Sequence, residues 1–281
     1  MATPQKTLAR LFTGKPAVTN RLLQRWNVVL AVLYAAEAVC ILLFGAPYNV
    51  PLTLLYQTRD SLQTKLSGHA AAAPAFHQLT EVNLACIVGA FLLVSALAQL
   101  FMATVCRRRY ETNIKQQLQP FRWVQFALNS GLMLVAIALL AGARDVASLL
   151  LIFGAAAVSS LAGLAVEAQA RDVRTQNPAR WLAPVIGALS GLPAWATVLL
   201  YAIATVSFGA ATTLPPLVWW IIPVALVLLL AIGGNLWLVS ARKGKWASYA
   251  YGEVWYMALA FVAQSLVAWL IYVSVLRPLA G

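Results

Sequence analysis

The sequence predicts an all-α membrane protein, a seven-transmembrane-helix bundle with its N-terminus in the cytoplasm and its C-terminus outside the cell. Three observations carry this. Hydrophobic residues make up 62% of the chain and charged residues only 10%, whereas a soluble domain is about a quarter charged. Apolar runs repeatedly exceed the roughly 18 residues that mark a spanning helix, and the alternating segments of about ten residues that build a membrane barrel are absent. Of the 20 lysines and arginines, sixteen fall in one alternating set of connecting segments and four in the other. The positive-inside rule makes the richer side cytoplasmic.

The spans are expected at 26–47, 81–104, 121–142, 145–168, 180–206, 214–240 and 247–275. Residues 1–25 read as a basic cytoplasmic segment lying on the anionic inner surface, without the apolar core or cleavage site of a signal peptide. Residues 26–281 form one transmembrane domain. Basic residues cluster before the first span (Lys6, Arg10, Lys15, Arg21, Arg25) and between the second and third (Arg107, Arg108, Arg109, Lys115, Arg122). They cluster again at Arg171, Arg174 and Arg180, and at Arg242, Lys243 and Lys245. Arg59, Lys65, Arg144 and Arg277 lie on the other side. The net charge of +12 is therefore topological and gives no reason to expect nucleic acid. The cell membrane is the expected location and the lipid bilayer the expected surroundings.

One external loop, 48–80, is long enough to carry structure or function of its own. Its alternating PLTLLYQT stretch predicts a small hairpin, and the alanine-rich HAAAAPAF after it reads as filler. His69 and His77 read as solvated loop residues. Cys40, Cys86 and Cys106 form no framework; they read as small packing residues, with a Cys40–Cys86 bridge the alternative. Pro193 in the fifth span is expected to kink its helix.

Polar residues inside a membrane are expensive and are site candidates by default. On the first span, Tyr34 and Glu37 share a helix face, with Glu37 about 16 Å into the helix and no Lys or Arg at its depth, which predicts a neutral carboxyl. Gln99 is the deepest polar residue of the second span. Gln125, Asn129 and Met133 are spaced by four on the third. Tyr249, Glu253, Tyr256, Ala260 and Gln264 form one stripe on the seventh. Each alone reads as glue between helices; together they predict a polar spot inside the bundle. HExxH and GxSxG motifs and Cys/His clusters are absent, as is a chain of acids through the bundle. Neither an enzyme nor a proton pump is expected.

Two stretches carry a family resemblance. FRWVQFALNSGLML at 121–134 resembles the third-helix signature of the heliorhodopsins, and RKGKWASYAYGEVWYMALAFVAQSLVAW at 242–269 resembles their sixth-loop and seventh-helix signature. Shorter matches run at Arg25-Trp26-Asn27, Ser95-Ala96-Leu97 and Ile152-Phe153-Gly154, with Gly163 and Glu167 beyond. The family's inverted orientation and large first external loop also agree. Heliorhodopsins hold retinal on a seventh-helix lysine paired with a third-helix glutamate. By this resemblance Gln264 stands at the lysine position and Gln125 at the glutamate position. The family's histidine after the Ser-Ala-Leu motif falls on Gln99, its histidine and glutamine of the first span on Tyr34 and Glu37, and an asparagine on Ala156.

An amide forms no aldimine, and Lys6, Lys15, Lys65, Lys115, Lys243 and Lys245 all fall in tails or loops. The resemblance thus implies a divergent member without covalent retinal. Its expected function is non-covalent binding or sensing of an apolar ligand (polyene, lipid or porphyrin) in a pocket lined by Tyr34, Glu37, Gln99, Gln125, Asn129, Met133, Tyr256 and Gln264. The alternative is a structural or signalling scaffold, its pocket filled by side chains, docking a cytoplasmic protein on basic loops such as Cys106–Tyr110. A transporter would need broken helices or repeats that the sequence lacks. A homodimer is implied by the resemblance alone.

Overall fold

The computed structural model describes residues 18–171, 181–209 and 216–278. The expectations placed on Lys6, Arg10, Lys15, Arg174 and Arg180, and on most of the N-terminal segment, lie outside the described residues. The elements run α1 (Asn20–Phe44), β1 (Asn49–Arg59), α2 (Ser61–Ser67), β2 (Ala72–Asn83), α3 (Leu84–Ala103), α4 (Arg107–Lys115), α5 (Pro120–Leu140), α6 (Val146–Arg171), α7 (Leu182–Phe208), α8 (Val218–Ser240), a 3-10 turn Gly244–Ala247 and α9 (Tyr249–Ile271), which ends in a π-helical turn Tyr272–Leu276. Seven of the helices (α1, α3, α5, α6, α7, α8 and α9) are long and apolar enough to cross a membrane.

The first span starts at Asn20, six residues before the predicted 26, so Arg21 and Arg25 ride on its first turns. A local cap sets this start: the Leu22 backbone N–H donates to Thr19 Oγ1 at 3.3 Å. Along α1 the buried residues Leu23, Asn27, Leu30, Tyr34, Ala38 and Ile41 form one stripe, while Val28, Val29, Val32, Leu33 and Leu43 face outward. Both faces are apolar because lipid covers one of them. Pro193 and Pro223 both sit inside helices, α7 and α8 respectively.

The helices form a ring in which α1 packs on α3, α3 on α5, α5 on α6 and α6 on α7. On the other side α8 packs on α9, and α9 on α1. α8 leans only lightly on α5 and α6, and the consecutive spans α7 and α8 barely meet. One end of the bundle carries α4, the α8–α9 turn and the basic residues Arg107–Arg109, Arg171 and Arg242–Lys245; we call it the basic end. The hairpin occupies the other.

The long loop corrects one expectation. The alanine-rich stretch is not filler: it begins β2, which pairs antiparallel with β1 from Asn49↔Asn83 to Arg59↔Ala72, with one register shift at Leu52/Thr53. Ladder hydrogen bonds come from the backbone, so alanines suffice where β1 supplies the partner. The hairpin is anchored to the turn between α5 and α6. The Thr53 N–H donates to the Arg144 carbonyl at 2.9 Å and the Leu55 N–H to Asp145 Oδ1 at 3.2 Å. Asp145 Oδ2 also accepts from the Ser148 backbone N–H and Oγ, both at 2.8 Å, capping α6. Slight burial raises the Asp145 carboxyl, but the hydrogen bonds from Ser148 and Leu55 outweigh it and hold it below its ordinary 3.8.

The cysteines correct another expectation. All three are free, and Cys86 faces outward instead of packing inside.

Two predictions follow from this packing. A Cβ at Gly163 would fall on the Trp123 ring, whereas one at Gly154 meets nothing within 4 Å. Gly163→Ala is therefore expected to destabilise by about 1–3 kcal/mol through overpacking and Gly154→Ala by less than about 0.5 kcal/mol, compared by thermal melting in detergent. The Asp145 contribution is fully present above 3.8 and lost as pH falls through its lower folded value. Amide exchange at Leu55 should quicken relative to its intrinsic rate only below pH 3.8, and Asp145→Ala should show the quickened exchange at neutral pH as well.

Candidate functional site

Two polar systems occupy the interior. The first lies mid-bundle, where α3, α5 and α9 converge. Ser95 Oγ donates to Gln264 Oε1. The Ser95 oxygen accepts from Asn129 Nδ2 at 2.5 Å and from Gln125 Nε2 at 3.2 Å. Asn129 Nδ2 also reaches Gln264 Oε1 at 3.4 Å. All four residues are buried, yet Asn129 Oδ1 and Gln125 Oε1 have no partner. These residues meet because Gln125 and Asn129 are one turn apart on α5, facing the groove between α3 and α9.

Beside this cluster lies a cavity of about 1440 Å³, walled by α5, α6, α7, α8 and α9. It exists because α8 stands away from α7. Its lining is mostly apolar, with Phe126, Met133, Val166, Leu229 and Ile232 among the walls and Asn129, Ser130 and Gln264 as polar points. Gly233 and Gly234 line it from α8, and a Cβ on either would meet nothing within 4 Å. Trp181, Trp237 and Arg242 border it toward the basic end.

Of the eight residues the sequence nominated, Asn129, Met133 and Gln264 border the cavity. Gln125 belongs to the adjoining amide cluster. Tyr34 is fully buried, edge-on to Phe261 at 5.3 Å between ring centroids. Gln99 is buried with its Oε1 unpartnered. Neither borders the cavity. Glu37 lies elsewhere: it is half-buried at the α1–α9 seam, where Ser265 Oγ donates to it at 2.8 Å and Trp269 Nε1 at 3.3 Å. Three residues along a helix is a 60° offset, enough to turn Glu37 from the interior stripe of Tyr34 toward the neighbouring helix.

The second system sits near the basic end, and the sequence reading placed its centre wrongly. Arg122 was counted with the loop cations. The structure puts it in the first turn of α5, 3% exposed, between two buried carboxylates. Its Nη1 donates to Glu253 Oε2 and its Nη2 to Glu167 Oε1 at 2.5 Å. Tyr249 donates to Glu167 Oε1 at 2.8 Å, Trp123 Nε1 to Glu167 Oε2 at 2.8 Å, and the Gln119 backbone N–H to the same oxygen at 3.1 Å. Tyr110 donates to Glu253 Oε1 at 3.1 Å. Burial pushes the Tyr110 hydroxyl far above its ordinary 10.0, so it stays a donor. Arg107–Arg109 open the short helix α4, which is tied inward by Tyr110 and Ile114 while the three arginines stay exposed. Two carboxylates around one guanidinium leave surplus negative charge, and these neutral donors solvate it.

Tyr256, another nominated residue, covers this cluster. The Arg122 guanidinium lies 4.0 Å from its ring centroid. With Trp123 and Phe126, at 5.7 and 6.2 Å from it, Tyr256 forms an aromatic layer between the charges and the cavity. A signal for the missed cluster was present in the motifs. Arg122, Glu167 and Glu253 each sit in one of the quoted stretches, and two intramembrane acids demand a cation at their depth. Among the described residues, no group of three His, Cys, Asp or Glu side chains comes together to hold a metal ion.

Seven membrane-length helices around a buried ion cluster define a multi-pass membrane protein of rhodopsin-like build. The family model of the heliorhodopsins matches residues 23–276, and the chain belongs to that family. A comparison with curated proteins finds no match.

Removing Arg122 would leave two buried carboxylates facing each other. Arg122→Leu is expected to cost about 3–5 kcal/mol. The triple change Arg122→Leu, Glu167→Gln, Glu253→Gln should recover much of that loss. Melting temperatures of the two variants in detergent check this ordering.

Proposed function

We propose that this heliorhodopsin-family protein binds an apolar ligand non-covalently in the cavity beside Gln264 and serves as a membrane sensor, not a light-driven pump. The observation that carries the reading is a large apolar cavity with a few convergent polar groups on one wall, the usual form of a small-molecule site. The fold family implies retinal, but the lining does not fit a covalently held aldehyde. A Schiff base requires a primary amine, and among the described residues no lysine borders the cavity. Gln264 offers an amide there, and Gln125 is neutral where a cation would need a carboxylate.

A scaffold with a filled pocket is disfavoured by a void of this volume. In this reading the basic end is cytoplasmic, consistent with the distribution of Lys and Arg. The homodimer implied by the family and a cytoplasmic partner at the basic end belong to the same proposal. No catalytic residue enters it, and no nucleic acid.

The test is spectroscopic and mass-based. Purified protein is incubated with all-trans retinal and then borohydride. The expected outcome is no covalent mass gain, together with saturable binding of an apolar fluorophore that retinal displaces. Gly233→Trp fills the cavity from α8, where the glycine Cβ position is open. It should weaken that binding more than tenfold with an unchanged melting temperature. A borohydride-trapped adduct, or no saturable binding of any apolar molecule, overturns the reading.

A further inference from the structure

We propose that the cavity seats an acyl chain of an anionic bilayer phospholipid, whose phosphate is held at the basic end by Arg242 and Arg171. The inference rests on the binding reading above and deepens it by naming the ligand class and the point where it is recognised.

The chain's place follows from how the cavity opens. Trp181, Leu230 and Trp237 line it and are also exposed on the outside of the bundle. Side chains that border a cavity and face outward mark an opening in its wall, here between α7 and α8, the consecutive spans that barely meet. In a bilayer such an opening faces acyl chains. Leu229 and Ser240 both line the cavity, and the eleven residues between them give about 16 Å of α8 wall. A chain enters sideways along this wall while its head stays at the membrane surface.

The head's place follows from charge. Arg242 borders the cavity and also an adjoining recess of about 20 Å³, which Arg171, Gln117, Trp246 and Tyr249 share. That volume admits one oxygen-sized group, so a phosphate sits over the recess against the two exposed guanidiniums and sends one oxygen in. Among the described residues, neither Arg171 nor Arg242 forms an ion pair with a carboxylate. Lys243 adds a third cation, with Nζ 4.3 Å from the ring centroid of Trp237 on the cavity wall. Guanidiniums offer the forked donors that match phosphate. Arg242 Nη2 donates to Gln117 Oε1 at 3.0 Å, which steadies it at the recess. Both residues hold left-handed backbone, with φ of 50° and 57°, a costly conformation for a side chain with a Cβ and one that gathers at ligand sites. The opposing charge lies inward, where Arg122 offsets one of the two carboxylates Glu167 and Glu253. Tyr249 stands at the recess and spends its hydroxyl on Glu167. Three cations on the outer side outweigh that one surplus charge. Basic pockets between spans at a membrane surface select anionic heads. A zwitterionic head brings its own cation against these three, and inorganic phosphate has the head's chemistry without a chain to fill the cavity.

The test counts bound probes on the purified full chain by native mass spectrometry. The probes are phosphatidylglycerol, phosphatidylcholine and diacylglycerol with identical acyl chains, and inorganic phosphate. Phosphatidylglycerol should bind roughly tenfold more tightly than the other two lipids, as two arginines beside an anionic head allow, and phosphate alone should not bind. Arg171→Gln and Arg242→Gln should each weaken phosphatidylglycerol about fivefold and leave diacylglycerol within about twofold. Retained diacylglycerol binding certifies that the variants are folded. Arg108→Gln, which removes an exposed charge outside both linings, should change nothing, and Gly233→Trp should weaken phosphatidylglycerol more than about tenfold by filling the chain's space. Equal affinity for the three lipids, arginine variants without effect, an equal loss in Arg108→Gln, or phosphatidylglycerol binding that survives Gly233→Trp overturns the lipid inference. Saturable binding of the apolar fluorophore then leaves the cavity reading standing, and failure of fluorophore and lipids alike sinks both.

Discussion

Arg122 between Glu167 and Glu253 is the constraint on which the rest of the bundle depends. Helices in lipid gain nothing from burying apolar surface against each other, because lipid tails are as apolar as leucine. Register and rotation must come from close packing and from polar ties. Here one guanidinium on α5 engages a carboxylate on α6 and another on α9. The same carboxylates recruit Tyr249, Trp123 and, through Tyr110, the short helix α4. Four elements are thereby fixed at one point near the basic end. Such a cluster is a weak source of net stability compared with apolar packing. Its effect is specificity: a rotation of α5 that withdrew Arg122 would strand two buried carboxylates.

The asymmetry of the bundle follows from where these ties stop. Among the described residues α7 carries no member of the cluster, and α8 is held at the basic end where it turns into α9. There Asn235 donates to the Gly252 carbonyl at 3.1 Å and accepts from Trp246 at 2.8 Å. With α7 committed to α6 and α8 to α9, space remains between them, and Gly233-Gly234 leaves the α8 wall bare. The cavity is what remains when five helices are held tightly and the sixth is hinged to the seventh. Neutral amides can border such a space at mid-membrane depth without a counter-ion.

Much of the fold was legible because membrane constraints act on composition and charge distribution. Length and hydropathy gave seven helices, and counting cations ordered the connections. Side-chain direction was harder to read. In a soluble helix the apolar stripe marks the inner face, but α1 is apolar on every side and only its polar residues discriminate. Asn129 and Gln264 were placed correctly on interior stripes. Glu37 went astray because partners on α9, Ser265 and Trp269, could not be seen from α1. Arg122 was misread for the opposite reason: adjacency to a basic loop hid its position in the first turn of α5. The hairpin was half legible, since alternation marked β1 while the alanines of β2 carry no pattern and pair through backbone alone.

Trp123 is where the ion cluster meets the cavity. Its ring borders the cavity, its Nε1 donates to Glu167, and the Arg122 guanidinium lies 5.2 Å from its centroid. Gly163 lets the indole lie against α6, and Tyr256 and Phe126 pack edge-on beside it. A ligand can shift a protein only by contacting two arrangements differently. On the proposed reading, Trp123 is where a ligand in the cavity would make such a contact, because the same indole donates to Glu167. Glu167 in turn accepts from the backbone of Gln119, whose side chain accepts from Asn113 of α4 at 3.0 Å. The connected path from cavity to basic surface is therefore short. From the indole inward it runs through Glu167 and the Gln119 backbone amide, and the Gln119 side chain carries it to Asn113.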